Sequence, residues 1–323
     1  MHKELEQVSV KQIRFTGWKG PQTDPEKEHE TVCMEYVRFG YGKEPFVILP
    51  GLSLQSVLLW KDKIAEAYQP FTKDFTVYVF DRRRDLPATY PVREMAKDTA
   101  AAIRAVGLDR VRLFGASQGG MIAMEIAVLY PELVKKLILG STTACVGEPA
   151  KRVIGEWIRL AKEQNTEALS LAFGKAIYPP ELFEASRASL LEAAKAVTAD
   201  DLKRFAILAE GTLTFDVTRE LNRIACPVLA IADRDDRIFG VESIEQLERA
   251  LSPEIRLESH LYSGYGHAAY DLAPDYKDRM LRFLSEEAEK AIFEEGESHE
   301  ASPDHGYEDH ALPGSDGSIR KPH

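Results

Sequence analysis

A serine set between two glycines, where an apolar strand runs straight into an apolar helix, is the strongest constraint in this chain. The segment is Val111-Arg-Leu-Phe-Gly115-Ala-Ser117-Gln-Gly119-Gly-Met121. A serine hydroxyl is a poor nucleophile at neutral pH, so a fold that uses one exposes Oγ on a sharp turn beside a base and amide donors. Glycines at 115 and 119 let neighbouring backbone pass close to that turn, and Ser117 can then hold a strained φ/ψ. By composition alone such a pentapeptide turns up in about one chain of this length in ten. The flanks decide the matter. Val111, Leu113 and Phe114 precede it as a strand, while Met121, Ile122, Met124, Ile126, Ala127 and Leu129 follow as a helix that ends before Pro131. Ser117 is therefore the expected nucleophile.

The rest of the chain repeats the strand-and-helix alternation. Val8 to Thr16 and Thr31 to Phe39 read as two strands around a polar, hairpin-like connection. Short apolar runs follow at Pro45–Leu49, Phe75–Asp81, Val134–Leu139, Val228–Ala232 and Ile255–Tyr262, with a helix over Val92–Val106 and a last one from about Pro274. This order implies an α/β fold, a mostly parallel twisted sheet with helices on both faces. One block departs from it: residues 147–222 read as helices only, divided by Pro179-Pro180 and Gly211. Val153, Trp157, Leu160 and Ala161 share one helical face, and Leu182, Ser186, Leu190 and Ala193 another. The expected organisation is a core over 1–146 and 223–292, an inserted helical cap over 147–222, and a disordered tail over 293–323. Within the cap, Trp157, Phe173, Tyr178 and Phe205 are candidates to line a substrate pocket, against the plainer expectation of helix packing.

Composition narrows the function. With 323 residues, 44% of them hydrophobic, the chain can bury a large core. A net charge of -11 speaks against binding nucleic acid or an anionic membrane. The start lacks the basic and apolar regions of a secretory signal and no apolar run is long enough to span a bilayer, so the expected location is cytoplasmic. Cys33, Cys145 and Cys226 are odd in number and widely spaced. They suggest neither a disulfide framework nor a zinc site, and read as buried apolar side chains.

A serine nucleophile needs a base and an acid. Of the eight histidines, His2 and His29 precede the core and His299, His305, His310 and His323 lie in the tail. His260 falls inside the last expected strand. His267 follows that strand in the Gly-rich loop Ser263-Gly-Tyr-Gly-His267, where a base can swing over the nucleophile, and is the expected general base. The acid should follow the strand Val228–Ala232, where Asp233, Asp235 and Asp236 compete, one to orient the imidazole and two to cap or solvate the turn. Spacing leaves the three tied. The order Ser, Asp, His nonetheless excludes the chymotrypsin and subtilisin arrangements.

With these residues in place, the chain resembles the α/β-hydrolase superfamily over most of residues 30–290. The resemblance implies an acid nine residues after the strand's leading proline, which from Pro227 gives Asp236, with Asp235 as runner-up. It implies that the backbone N–H groups of Leu52, after Pro50-Gly51, and of Gln118 hold the oxyanion. Two departures stand out. Pro50 replaces the usual histidine, and Asp81-Arg-Arg-Arg-Asp-Leu-Pro replaces the usual Asp-x-Arg-Gly-x-Gly-x-Ser. Arg82, Arg83 and Arg84 are expected as a solvated run pairing with Asp81 and Asp85, or else as a site for an acidic substrate group.

The implied chemistry is acyl transfer to Ser117 and hydrolysis of the acyl-enzyme, with no metal or organic cofactor. An aspartate-based dehalogenase is disfavoured by the serine at the elbow. A small-molecule carboxylic ester or lactone is the first expectation, on analogy at the level of the fold. Carbon–carbon bond hydrolysis, an aminopeptidase-like activity, acyl transfer to an alcohol and a non-catalytic small-ligand receptor stay open, as does a homo-oligomer. The four tail histidines among carboxylates are read as part of a solvated extension rather than a metal site.

Overall fold

Strands buried on both faces need apolar side chains at every position, alternating between two helical layers. The computed structural model, which describes residues 8–18 and 29–286, has this pattern over most of the centre of its sheet, interrupted by Arg112 on one strand and Lys135 and Lys136 on the next. The elements run β1 (Val10–Trp18), β2 (His29–Phe39), β3 (Glu44–Leu49), α1 (Lys61–Ala67), β4 (Phe75–Phe80), α2 (Val92–Ala105), β5 (Val111–Ala116), α3 (Gln118–Leu129) and β6 (Val134–Gly140). Four helices follow, α4 (Glu148–Lys162), α5 (Thr166–Ile177), α6 (Pro180–Ala194) and α7 (Ala199–Glu210). The chain then closes with β7 (Val228–Asp233), α8 (Glu242–Ala250), β8 (Leu257–Tyr262), α9 (Ala269–Leu272) and α10 (Tyr276–Ser285).

The eight strands form one sheet in the order β1-β2-β4-β3-β5-β6-β7-β8. The pairs β1/β2 and β2/β4 are antiparallel and all the others parallel. Val47, Leu113, Leu137 and Ala230 point into the layer that holds α2, α3 and α8. Phe46, Phe114, Ile138 and Leu229, each one residue away, point into the layer of α1 and α10. The connection between β1 and β2 and the tail expected over 293–323 lie outside the described residues. Cys226 is buried, whereas Cys33 and Cys145 are only partly so. Among the described residues no helix is long and apolar enough to cross a membrane.

The helices α4 to α7 occupy the expected insertion, with two refinements. Residues 211–220 are not helical. They return beside the exit of β6, where Val146 N–H donates to Phe215 O and Val217 N–H to Ala144 O, at 3.0 and 2.9 Å. In α6 Phe183 and Leu190 pack at Gly174 of α5, and Phe183 and Ala194 are the buried positions; of the stripe expected from spacing, Leu182, Ser186 and Leu190 are half-buried and Ala193 is exposed. Pro180 starts α6 as expected. The other boundaries are set by side-chain caps: Asn165 accepts from Ala168 N–H at α5, and a Thr198–Asp201 capping box opens α7.

The insertion lies against the C-terminal ends of the parallel strands. Gln55, after β3, donates to Ala196 O at 3.1 Å; Gln118, after β5, donates to Leu208 O at 2.7 Å; Arg237, after β7, donates to Lys175 O at 3.1 Å. In open α/β sheets this is the edge where ligands bind.

Candidate functional site

Ser117 joins β5 to α3 with φ 53° and ψ -121°, a backbone conformation that L-residues adopt only under constraint. Its main chain is held from both sides. The N–H donates to Gly140 O at 2.9 Å, and the carbonyl accepts from Gly120 N–H at 2.9 Å and Thr142 Oγ1 at 2.7 Å. The side chain is left part-exposed at the end of the strand. The flanking glycines serve close approach: a Cβ at 119 would lie 2.0 Å from Leu49 O, and one at 115 would lie 2.3 Å from Gly119 O. No larger residue fits at either position. Gly51 passes over the turn in the same way, since a Cβ there would stand 3.2 Å from Ser117 Cβ and 3.8 Å from its Oγ. Leu52 is the next residue in the chain and is partly buried.

The three carboxylates after β7 have separate duties. Asp236 Oδ2 lies 2.8 Å from His267 Nδ1, both side chains being buried. Its other oxygen accepts from the N–H groups of Ile238 and Phe239 at 2.8 and 3.2 Å. Burial alone would raise the Asp236 carboxyl, but the charge and hydrogen bond of His267 and the two amides outweigh it and hold it below the ordinary aspartate value. Whenever the imidazole is in its neutral form, a carboxylate acceptor at Nδ1 keeps the proton there and leaves the Nε2 lone pair free. Asp235 instead accepts from Ser263 Oγ and Gly264 N–H at 2.9 and 2.8 Å. Asp233 accepts from Asp235 N–H at 2.7 Å and Tyr265 N–H at 3.0 Å. These two staple the loop after β7 to the loop after β8, and so set the distance between Asp236 and His267. His260 sits on edge strand β8 with its ring 4.4 Å from that of Tyr262.

The arginine run departs from expectation. Arg82 and Arg83 are 6% and 1% exposed, so two of the three are not solvated. Arg83 pairs with Asp98 at 3.3 Å and with Glu30, and its Nε donates to Asp85 O. Arg82 donates from Nη2 to Gln118 Oε1 at 2.8 Å. Only Arg84 is exposed, against Glu35. The physical reason is α7, whose Arg204 pairs with Asp81 at 3.3 Å and donates to Arg83 O and Arg82 O, closing the loop under the insertion.

Trp157 and Phe205 are buried in helix packing, with Phe173 between them at ring-centroid distances of 4.7 and 5.8 Å. Tyr178 borders a cavity of about 450 Å³ shared with Pro179, Arg234, Asp236, Arg237 and Gly266. Phe239, which stands 5.5 Å from the His267 ring, and Thr142, which holds the Ser117 carbonyl, were not singled out from the sequence. Thr142 carries no local signal, because its role depends on β5 and β6 being neighbours. Among the described residues no group of three or more His, Cys, Asp or Glu side chains is arranged to hold a metal ion.

Residues 44–274 match the family model for the alpha/beta hydrolase fold. The chain belongs to the α/β-hydrolase family. A relative in this family, named "Putative carbamate hydrolase RutD", comes from Pseudomonas savastanoi pv. phaseolicola; it is 29% identical over 262 residues, covering 78% of this chain and 98% of its own. A protein of the same name from Caulobacter sp. is 26% identical over 69% of this chain and 86% of its own. Among solved α/β-hydrolase structures, an enzyme from a Medee basin deep-sea metagenome library superposes with a TM-score of 0.71 at 21% identity, covering 81% of this chain and 98% of that one. The enol-lactonase from Burkholderia xenovorans gives a TM-score of 0.67 at 19% identity, covering 79% and 97%.

Proposed function

We propose that this α/β-hydrolase is a serine hydrolase that cleaves a small-molecule carboxylic ester or lactone through an acyl-enzyme on Ser117. The observation that carries the reading is the 2.8 Å bond between Asp236 and His267, two strands along the sheet from a serine held at positive φ. In the proposed cycle, His267 Nε2 takes the Ser117 proton as Oγ attacks the carbonyl carbon. The N–H groups of Leu52 and Gln118 receive the oxyanion, and the imidazolium then protonates the leaving oxygen. Water attacks the acyl-enzyme with His267 again as base, releasing the acid and restoring the serine. Asp236 stays ionised throughout and stabilises the imidazolium.

The names borne by relatives favour a second substrate class. Carbamate hydrolysis requires the same attack on a carbonyl, with nitrogen beside it. A fluorophosphonate probe followed by a hydrolysis screen tests both. The expected result is labelling of the wild type but not of Ser117→Ala, with turnover of short esters or lactones exceeding that of carbamates, aminoacyl amides and diketones. Equal labelling of the two proteins would sink the serine mechanism, and faster carbamate turnover would shift the substrate to the second class.

A further inference from the structure

Gln118 enters the proposed mechanism through its backbone alone, yet its side chain is 2% exposed and bonded at both ends. Oε1 accepts from Arg82 Nη2 at 2.8 Å, and Nε2 donates to Leu208 O, on α7, at 2.7 Å. We propose that Arg82 is a positioning residue for the nucleophile elbow: its guanidinium fixes the direction of the Gln118 amide, which ties the first residue of α3 to α7 and holds the Gln118 N–H in place for the oxyanion.

The two ends of a carboxamide have nearly the same shape, so only their partners decide which way it points. A guanidinium is purely a donor and a carbonyl purely an acceptor. With Arg82 on one side and Leu208 O on the other, a flipped amide would oppose donor to donor and acceptor to acceptor. Removing Arg82 leaves the amide held at one end only, by Leu208 O, so that the side chain can swing and its tie between the elbow and α7 loosens.

Arg82 is poorly explained as packing. Its buried Nε has no hydrogen-bond partner among the described residues, and the charge of neighbouring Asp81, which favours the guanidinium, does not outweigh the cost of burial. Asp81 Oδ1 is taken up by the Arg82 backbone N–H at 2.7 Å and by Arg204 at 3.3 Å. Burial pushes the guanidinium down to about 10, which still leaves it charged at neutral pH. Burying a charge for one side-chain hydrogen bond and the field of one adjacent carboxylate is costly, unless that bond orients something a neutral donor would hold less firmly. Arg204 of α7 meanwhile donates to the carbonyls of Arg82 and Arg83 at 3.2 and 2.6 Å. The loop after β4, the elbow and α7 are thus one connected unit.

The catalytic consequence rests on the serine-hydrolase reading, so the test has one arm that needs no turnover. Arg82→Met and Gln118→Met should each lose hydrogen-exchange protection at the start of α3 and along 199–210. Each should lower kcat about 10- to 100-fold, part of what one oxyanion donor supplies, with KM changed less than about threefold. The double variant should be no worse than either single one, since both break the same link. Free guanidinium should restore the activity of Arg82→Ala where ammonium does not, and Gln118→Glu, which keeps a partner for Arg82 but sets an acceptor against Leu208 O, should behave like Gln118→Met. Unchanged exchange in both single variants, additive losses in kcat, or wild-type behaviour of Gln118→Glu would overturn the proposal. If the wild type is not labelled by fluorophosphonate, the hydrolase reading fails, while the exchange experiment still decides the positioning role.

Discussion

Asp233, Asp235 and Asp236 are chemically alike and separated by at most three positions, yet one faces the imidazole while two hold loop backbone. Asp236→Asn should lower kcat/KM by about 10⁴-fold, because an amide at that place favours the wrong imidazole tautomer. Asp235→Asn, which weakens a staple rather than an orienting bond, should cost less than about tenfold. Steady-state kinetics on any substrate that is turned over measures the difference. Acid tests Asp236 by a second route. With its carboxyl held below the ordinary value, Asp236 stabilises the fold above the unfolded aspartate pKa of 3.8, and that contribution is lost as pH falls through the lowered folded value. Wild type and Asp236→Asn should therefore differ in melting temperature at neutral pH and converge below pH 3.8.

At the scale of elements, strands were the most legible part of the sequence. Two-sided burial makes β3 and β7 read as short apolar runs and leaves β5 interrupted only by Arg112, and the shortness of the runs with Gly and Pro at their ends marks them as strands rather than buried helices. The helices of the insertion were harder to read. The α6 stripe was read one position off at its edge, with Phe183 and Ala194 buried and Ala193 exposed, because α6 packs chiefly on α5 through a narrow contact around Phe183 and Leu190. The arginine run was misread for a related reason: whether Arg82 and Arg83 meet solvent depends on α7, more than a hundred residues later. Another cation was likewise unmarked. Lys136 on β6 is buried and donates to Phe283 O and Glu286 O, while Arg112 on β5 donates to Leu284 O at 3.1 Å. Both satisfy carbonyls at the C-terminus of α10 and complement its dipole. Lys136→Met should cost about 1–3 kcal/mol by stranding those acceptors, seen as a lowered denaturation midpoint with an unchanged slope.

At the scale of the whole molecule, the chain divides at Glu286, and every residue of the proposed site lies in the first unit. A chain ending at about Glu295 should keep the melting temperature, probe labelling and turnover of the full one; loss of any would show that the remainder contributes to the site. The positions of Ser117 and His267 could be read from the sequence because each needs only a local context, a strand followed by a Gly-rich turn. The choice of Asp236 needed the register of a family, and the link from Arg82 through Gln118 to Leu208 needed the tertiary structure.

That link also bears on how the protein reaches its working state. Its two hydrogen bonds join residues 36 and 90 positions apart in the chain, the longer one reaching into the insertion, and the link is complete only when β4, β5 and α7 have assembled. Contacts of such sequence separation incur a loop-closure cost early and return it only late in folding. Competence of the elbow should therefore trail the appearance of secondary structure during refolding, and a chain that has regained its helices need not yet be an enzyme.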